Sequence, residues 1–565
     1  MGKPDVTNQS DDEAKEKMLD DGKLTSACGT PEVIFMSENG KTKINDENLS
    51  QVLSGMCKEE LMSYANNSFW IKLRWLLFIG FWILWFAMLA GAALIIIGAP
   101  KCTSTSTKKW WAKSPIVQLE PLNIIGKNNG ISIEALLDNL KKQNIDIISL
   151  SSILSETSKN HVTDFNSLNS NITIKDLAYF IDAAKNRSQK VIMEFDINYS
   201  SINHSWFVNS IERIEPYTNY YIWSDGKNGT EPPNNWLSIK NGSAWEWNDK
   251  RKQYYLHQFE KTQPELNFSN PLVVDEFTKT LINWIKFGFN GFRLGGTQYL
   301  TEDPNKRDEI PIRGPARSQM YESFNHVHTK DRHADNILII AKLRNAVENI
   351  TNNEGLFAFK DDTGDDAIAI FDDNKVKINL PQRSNFISTI DNEITAETLQ
   401  KGIIRATNGE WPGWNFNGDG ASLRSRLGDS TADSLILMSL LLPGTPILKL
   451  NDCLNDTSAF PKVTAKRNED TFLYGGFKPA IINGTVFTYI RIKSGHPGYL
   501  IAYQSSDNQV DIDVTSMPFK TSELTVLAHS RNYNRNVTSF AEKMSPKKIP
   551  ISPKSTLILS FINGD

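Results

Sequence analysis

VVDEFTKTLINWIKFGFNGFRLGG (273–296) reads as a helix (273–288) running into a short strand (291–296). The same alternation recurs on both sides of it. IDIISLSSIL (145–154) is strand-like, IKDLAYFIDAAKNR (174–187) places apolar residues at helical spacing, and VIMEFDIN (191–198) is a strand. Downstream, ILIIA (337–341) is expected to be a further strand, and SLILMSLLLPGTPIL (434–448) a helix leading into one. Repeated β/α alternation implies a parallel sheet with covering helices, and over this length an α/β barrel of the (β/α)8 TIM type. From about Phe472 the pattern changes. GTVFTYIRI, GYLIAYQ, VDIDV, LTVLAHS and STLILSFI are short strand runs between turns, so residues 466–565 are expected to form an antiparallel β-sandwich.

Upstream of the barrel, LLFIGFWILWFAMLAGAALIIIG (76–98) carries no charge and is long enough to cross a bilayer as a helix. The 75 residues before it are rich in Asp, Glu, Lys, Ser and Asn, and are expected to be largely disordered. No basic segment with a short apolar core opens the chain, so a cleavable signal peptide is not expected. Lysines and arginines flank the span on both sides and lean slightly against a cytoplasmic N-terminus. A large C-terminal part behind an uncleaved anchor argues for the type II orientation, with 99–115 as an extracellular neck. Eleven Asn-x-Ser/Thr sequons follow the span, among them Asn171, Asn186, Asn228, Asn241, Asn267, Asn349, Asn483 and Asn536; three more precede it. The net charge of -4 gives no sign of a nucleic-acid partner. The four cysteines, Cys28, Cys57, Cys102 and Cys453, form no CxxC pair, so neither a structural metal nor another cofactor is expected. Read alone, Cys102 could pair between chains, pair with Cys453 or stay free; Cys453 suits a buried free thiol.

PYTNYYIWSDGKNGTEPPNNWLSIKNGSAWEWNDKRKQYYLHQFEKTQPELNFSNP (216–271) resembles the substrate-side insertion of α-glucosidases of the α-amylase superfamily, and FGFNGFRLGG resembles their "DGFRLD" strand. The resemblance covers roughly 116–565. It implies a TIM-type barrel over 116–465, an inserted loop domain at about 200–265 and the β domain behind it. Enzymes of this kind need a nucleophilic carboxylate and a carboxylic acid facing one sugar. By resemblance, Gly295 stands at the nucleophile position, with the supporting Arg293 retained. The general acid is expected at the end of ILIIA, where Ala341 and Lys342 stand. WNFNGDGASLRSRLGD (414–429) resembles the "NHD" region, with Asp419 as the third carboxylate and Gly418 in place of its histidine. EFDINYS resembles the "DxxxNH" block, with Glu194 for the Asp and Tyr199 for the His, and the following His204, Ser205, Trp206 and Phe207 keep an H-x-W-F pattern. Glycine cannot attack carbon and lysine cannot serve as the carboxylic acid, so a barrel without catalytic function is expected.

A glucosidase-like barrel without its carboxylates, on a single-pass anchor, resembles the heavy chains of heteromeric amino-acid transporters, of the cell-surface activation antigen and rBAT types. GAPKCTSTSTKKWWAKSPIVQLEPL (98–122) resembles their neck. That resemblance implies a plasma-membrane glycoprotein without enzymatic activity. Cys102 would form a disulfide to a multi-pass light chain, which carries the substrate path. Gly91 in the span and Trp110 and Trp111 in the neck are candidate contacts with that partner or with membrane lipid. The alternatives are a membrane-bound α-glucosidase using Asp225 or Glu194, or a glycan-binding ectodomain.

Overall fold

The computed structural model describes residues 58–98, 107–120, 132–228, 231–312, 320–330, 332–374, 376, 378–390, 393–418, 420–454, 459–534 and 542–562. The expected disordered region up to 57, with Cys28 and Cys57, lies outside these residues. So do the neck from 99 to 106 with Cys102, the third carboxylate Asp419 and the sequon Asn536. The chain divides into two compact units, 1–104 and 105–565.

In the first unit, the helix Ser68–Gly98 follows a shorter one, Lys58–Ala65. Asn67 Oδ1 accepts a hydrogen bond from Phe69 N at 3.0 Å and opens the long helix. Its 31 residues span about 46 Å at the usual helical rise. No residue of it is buried, and among the described residues it is the one helix long and apolar enough to cross a membrane. It begins eight residues before the apolar run at 76, because Lys72 and Arg74 are good helix formers whose long stems keep the charge at the helix end.

In the second unit, seven parallel strands make one sheet. They are Ile116–Leu119, Ile147–Ser151, Lys190–Asp196, Gly291–Gly295, Leu356–Phe359, Gly413–Trp414 and Thr445–Lys449. The spatial order is fifth, fourth, third, second, first, seventh, sixth. Gln382 closes the circle, bridging in parallel to Asp362 on one side and Gly413 on the other. The barrel therefore has eight positions, one of them a strand reduced to a single bridging residue. The strands are buried nearly throughout, as expected of a parallel sheet covered by helices. Gly291 sits at φ +149°, and a Cβ there would overlap the carbonyl of Leu356 on the next strand, so the close approach of these two strands needs glycine.

The helices carry their own start signals. Thr173 and Asp176 form a capping box for Ile174–Asn186, and Asn270 caps Pro271–Phe287 with proline in the first turn. The tail forms a six-stranded antiparallel sheet whose first hairpin turns at Asn483 and Gly484, both with positive φ. One face packs on the barrel helix Asp429–Ser439: Tyr489 Oη donates to Met438 O at 2.6 Å, and Thr556 Oγ1 to Ser434 O at 2.7 Å. The other face buries Val486, Ile490, Leu500 and Leu559 in a second core.

Two expectations need correction. ILIIA (337–341) is not a strand but part of the helix His333–Thr351. Ile337, Ile340, Leu343 and Val347 are buried at helical spacing, while Leu338 in the middle of the run is 77% exposed. The strand comes later, at Leu356–Phe359, after Asn352 and Asn353 have reversed the chain with positive φ. Trp111 is no partner surface. It is buried with Ile116, Ile147, Ile192, Leu380 and Ile447 under the barrel floor. Trp110 stays partly exposed, with Nε1 donating to Glu354 O at 2.8 Å.

Candidate functional site

At the C-terminal ends of the strands lies a cavity of about 460 Å³ whose lining includes Gln118, Glu194, Asp196, Tyr199, Lys360 and Lys449. The third strand aligns Glu194 with Arg293 and Asp196 with Gly295 on the fourth. Because strand residues alternate faces, Glu194 and Asp196 point the same way.

Each of these carboxylates is neutralised in place. Glu194 Oε1 takes a hydrogen bond from Arg293 Nη1 at 2.7 Å, and its two oxygens accept from Gln118 Nε2 at 3.1 Å. Ser149 Oγ donates to Glu194 Oε2 at 3.0 Å, and the second Arg293 amine holds Gln382 Oε1. Burial pushes the Glu194 carboxyl up, but Arg293, then Lys360 and the hydrogen bonds outweigh it and hold the group below the usual carboxylate range. Asp196 pairs with Lys360 Nζ at 3.0 Å and accepts from Tyr199 Oη at 2.7 Å. Burial opposes its charge too, and Lys360 and Tyr199 prevail, so it also titrates low. Tyr199 is driven far above its ordinary value by burial and by the charge of Asp196, so its hydroxyl remains a donor.

Gly295 ends the fourth strand at this pair. A Cβ on it would overlap Asp196 Oδ1 and stand 3.1 Å from Lys360 Cδ. Lys342, expected at the general-acid position, is instead on the outside of a helix in an ion pair with Asp275 at 2.5 Å. The residue at the end of the fifth strand is Lys360, whose backbone N–H bonds Leu294 O at 2.7 Å. Gly418 lines the cavity at φ +65°. Asp225 lies exposed in the inserted loop, bonded to Gln253 at 2.8 Å, and is not among the residues lining the cavity. His204 caps the helix Ser205–Ile211 and stacks among Phe165 and Trp206, which gives the H-x-W-F segment a structural task. Sequence reasoning missed Asp196 and Lys360. The two-residue spacing of Asp196 from Glu194 was the available signal; for Lys360 it was hidden by the misplaced strand.

Beside the cavity, Glu265 and Glu302 share a hydrogen bond, and Asn198 Nδ2 donates to Glu265 at 3.3 Å. Among the described residues, no group of three or more His, Cys, Asp or Glu could hold a metal ion. Burial, then the charge of Glu302, lifts Glu265 well above the usual range, and burial lifts Glu302 to about 8 from an ordinary 4.5. The folded state therefore binds the shared proton more tightly than the unfolded chain. Its stabilisation is complete below about pH 4.5 and is lost as pH rises to about 8. We expect denaturant midpoints, measured with chelator so that no cation replaces the proton, to fall across that window. Replacing Glu302 by Gln should flatten the slope; an unchanged slope would refute a shared proton.

Of the described sequon residues, Asn171, Asn186, Asn203, Asn228, Asn241, Asn349 and Asn483 are exposed. Asn267 is half-buried, with its amide donating to Asn219 O at 3.2 Å, and Asn198, fully buried in the Asn198-Tyr199-Ser200 sequon, is the poorest acceptor of the described set.

Taken together, an eight-position parallel barrel with its charged cavity at the strand C-termini defines a glycoside-hydrolase-type barrel. A family model described as the alpha amylase catalytic domain matches residues 104–450, and the chain belongs to that family. A second model, the solute carrier family 3 member 2 N-terminus, matches residues 41–117. The amino acid transporter heavy chain SLC3A1 of Homo sapiens is 31% identical over 427 residues, 70% of this chain and 61% of the relative's length. The Rattus norvegicus counterpart is 28% identical over 421 residues, 60% of its length. The chain thus spans about three fifths of the curated heavy chains it matches. A salivary alpha-glucosidase of Anopheles gambiae is 37% identical over 244 residues, 40% of this chain and 41% of the enzyme. Among solved structures, the trehalose-6-phosphate hydrolase of Bacillus licheniformis superposes with a TM-score of 0.68 at 18% identity, covering 80% of this chain and all of that one.

Proposed function

We propose that this chain is the ancillary heavy-chain subunit of a heteromeric amino-acid transporter, and that its barrel does not hydrolyse glycosides. The observation that carries the reading is the match of residues 41–117 to a solute-carrier N-terminus, a segment that holds both the apolar helix and the neck. One helix cannot enclose a substrate path, so transport belongs to a multi-pass light chain. The heavy chain would assist its folding and delivery to the plasma membrane, anchored as a type II glycoprotein with the barrel outside. Cys102, a few residues beyond the helix on the oxidising side, is the candidate for the interchain disulfide. The cavity supports the non-enzymatic half of the reading. Gly295 offers no nucleophile, Lys360 no carboxylic acid, and Glu194 and Asp196 are each tied to a cation.

The test is co-expression with an amino-acid-transporter light chain and electrophoresis with and without reductant. A high-mass band should appear only without reductant and disappear in Cys102→Ser. A band that persists in this variant removes Cys102 from the linkage. Failure to co-purify at all, with or without crosslinking, removes the partnership. Turnover of maltose or a nitrophenyl glucoside by purified protein would restore the hydrolase reading, which rests on Glu194 or Asp225 as the unorthodox carboxylate.

A further inference from the structure

Opposite the vacated site, at the N-terminal ends of the barrel strands where the barrel meets the tail sheet, lies a second cavity of about 740 Å³. Lys108, Ile404, Trp411, Tyr474, Phe477 and Arg491 line it. Its charges are all of one sign. Lys108 Nζ sits 4.4 Å from the centre of the Trp411 ring, has no carboxylate partner among the described residues, and its backbone N–H is fixed by Tyr474 Oη at 3.1 Å. Arg491 is buried and spends its amines on backbone carbonyls of Leu441, Thr471, Phe472 and Gly475, while its Nε has no partner. Behind it Arg467, also buried, is held by the carbonyls of Leu440, Ala112 and Gly444, again with Nε unpartnered. The carbonyls supply partial charge only, so among the described residues no full negative charge answers these cations. The nearby carboxylate of Asp470 is engaged by Lys493. Burial and the charge of Arg491 make the Lys108 ammonium easier to deprotonate, and the same two causes do this to Arg467.

We propose that this cavity binds a phosphate group carried on an apolar body. Lys108 is the point charge that meets the phosphate, with the positive field of Arg491 and Arg467 behind it. Trp411, Tyr474, Phe477 and Ile404 cover the apolar part. A dianionic head suits three uncompensated cations better than a single carboxylate would, and buried guanidinium groups gain more from it than exposed ones because water screens them less. The chemistry fits either a soluble organic phosphate or a phospholipid headgroup.

The experiment is titration calorimetry on the full chain in detergent micelles, with inorganic phosphate and with dihexanoyl phosphatidic acid as probes. Lys108→Gln should weaken binding at least about tenfold, the usual value of one charge-assisted contact. Lys108→Arg should keep it. So should Lys109→Gln, since Lys109 is paired with Glu354 at 2.6 Å and does not line the cavity. Both probes binding with this variant pattern supports the site and a soluble phosphate. The phosphatidic acid binding alone with the same pattern supports the site and a lipid headgroup. No binding of either probe at millimolar concentration, or Lys108→Gln and Lys109→Gln behaving alike, overturns the proposal. Unchanged circular dichroism of Lys108→Gln separates lost binding from lost folding.

Discussion

Gly295→Asp should destabilise the barrel by about 3 kcal/mol or more and yield no hydrolase. The position is the end of a strand whose neighbours have filled the space a side chain would use. A Cβ alone already overlaps Asp196 Oδ1 and crowds Lys360. A carboxylate there would also add a second negative charge beside Asp196 in a buried setting, and two such groups cannot both ionise cheaply. Lys360, which is no carboxylic acid, would still stand at the end of the next strand. Urea midpoints give the stability loss, and a nitrophenyl glucoside assay gives the activity. Pairing the change with Asp196→Ala should recover much of the loss, since it removes both the overlap and the repulsion. A single variant as stable as the parent would show that the Asp196–Lys360 pair does not fill the space beside Gly295.

The second large effect is expected from Arg293→Met, at about 3–5 kcal/mol of lost stability, the usual cost of removing one partner of a buried ion pair. Arg293 is fully buried and Glu194 is 5% exposed. Without the guanidinium, Glu194 keeps Gln118 and Ser149 as donors but loses its neighbouring cation, and Gln382 loses the group that holds its amide oxygen. Adding Glu194→Gln should restore part of the loss by removing the stranded charge. A double-mutant cycle in urea measures the coupling. A loss below about 1 kcal/mol, the value of an exposed pair, would mean that the cavity is wet enough to solvate Glu194.

The sequence announced most of this architecture because its local signals agree with the global fold. Thr173 and Asn270 sit where helices start, Gly288 and Asn352 where helices end, and the barrel strands are mostly apolar. The errors have physical causes. ILIIA looks like a strand by composition, but its burial follows a helical period that only the packing of helix on barrel reveals. The eighth barrel position, Gln382, has no strand-like stretch around it to be read. Trp111 looks like a membrane-edge aromatic because it stands beside Trp110 in a basic neck. Its burial depends on strands that are remote in sequence. In the site, Gly295 was legible as a departure from the α-glucosidase pattern, while the Asp196–Lys360 pair beside it required three strands to be placed side by side.

The one-residue strand at Gln382 has a mechanical meaning. A cylinder is as strong as its seam, and here the seam is a single backbone bridge on each side, with its side chain bolted from inside by Arg293. The Arg293 guanidinium acts there as a rivet. Substitutions at Gln382 or Arg293 would then act through the load on this seam, and their mark would be a smaller amount of intact barrel.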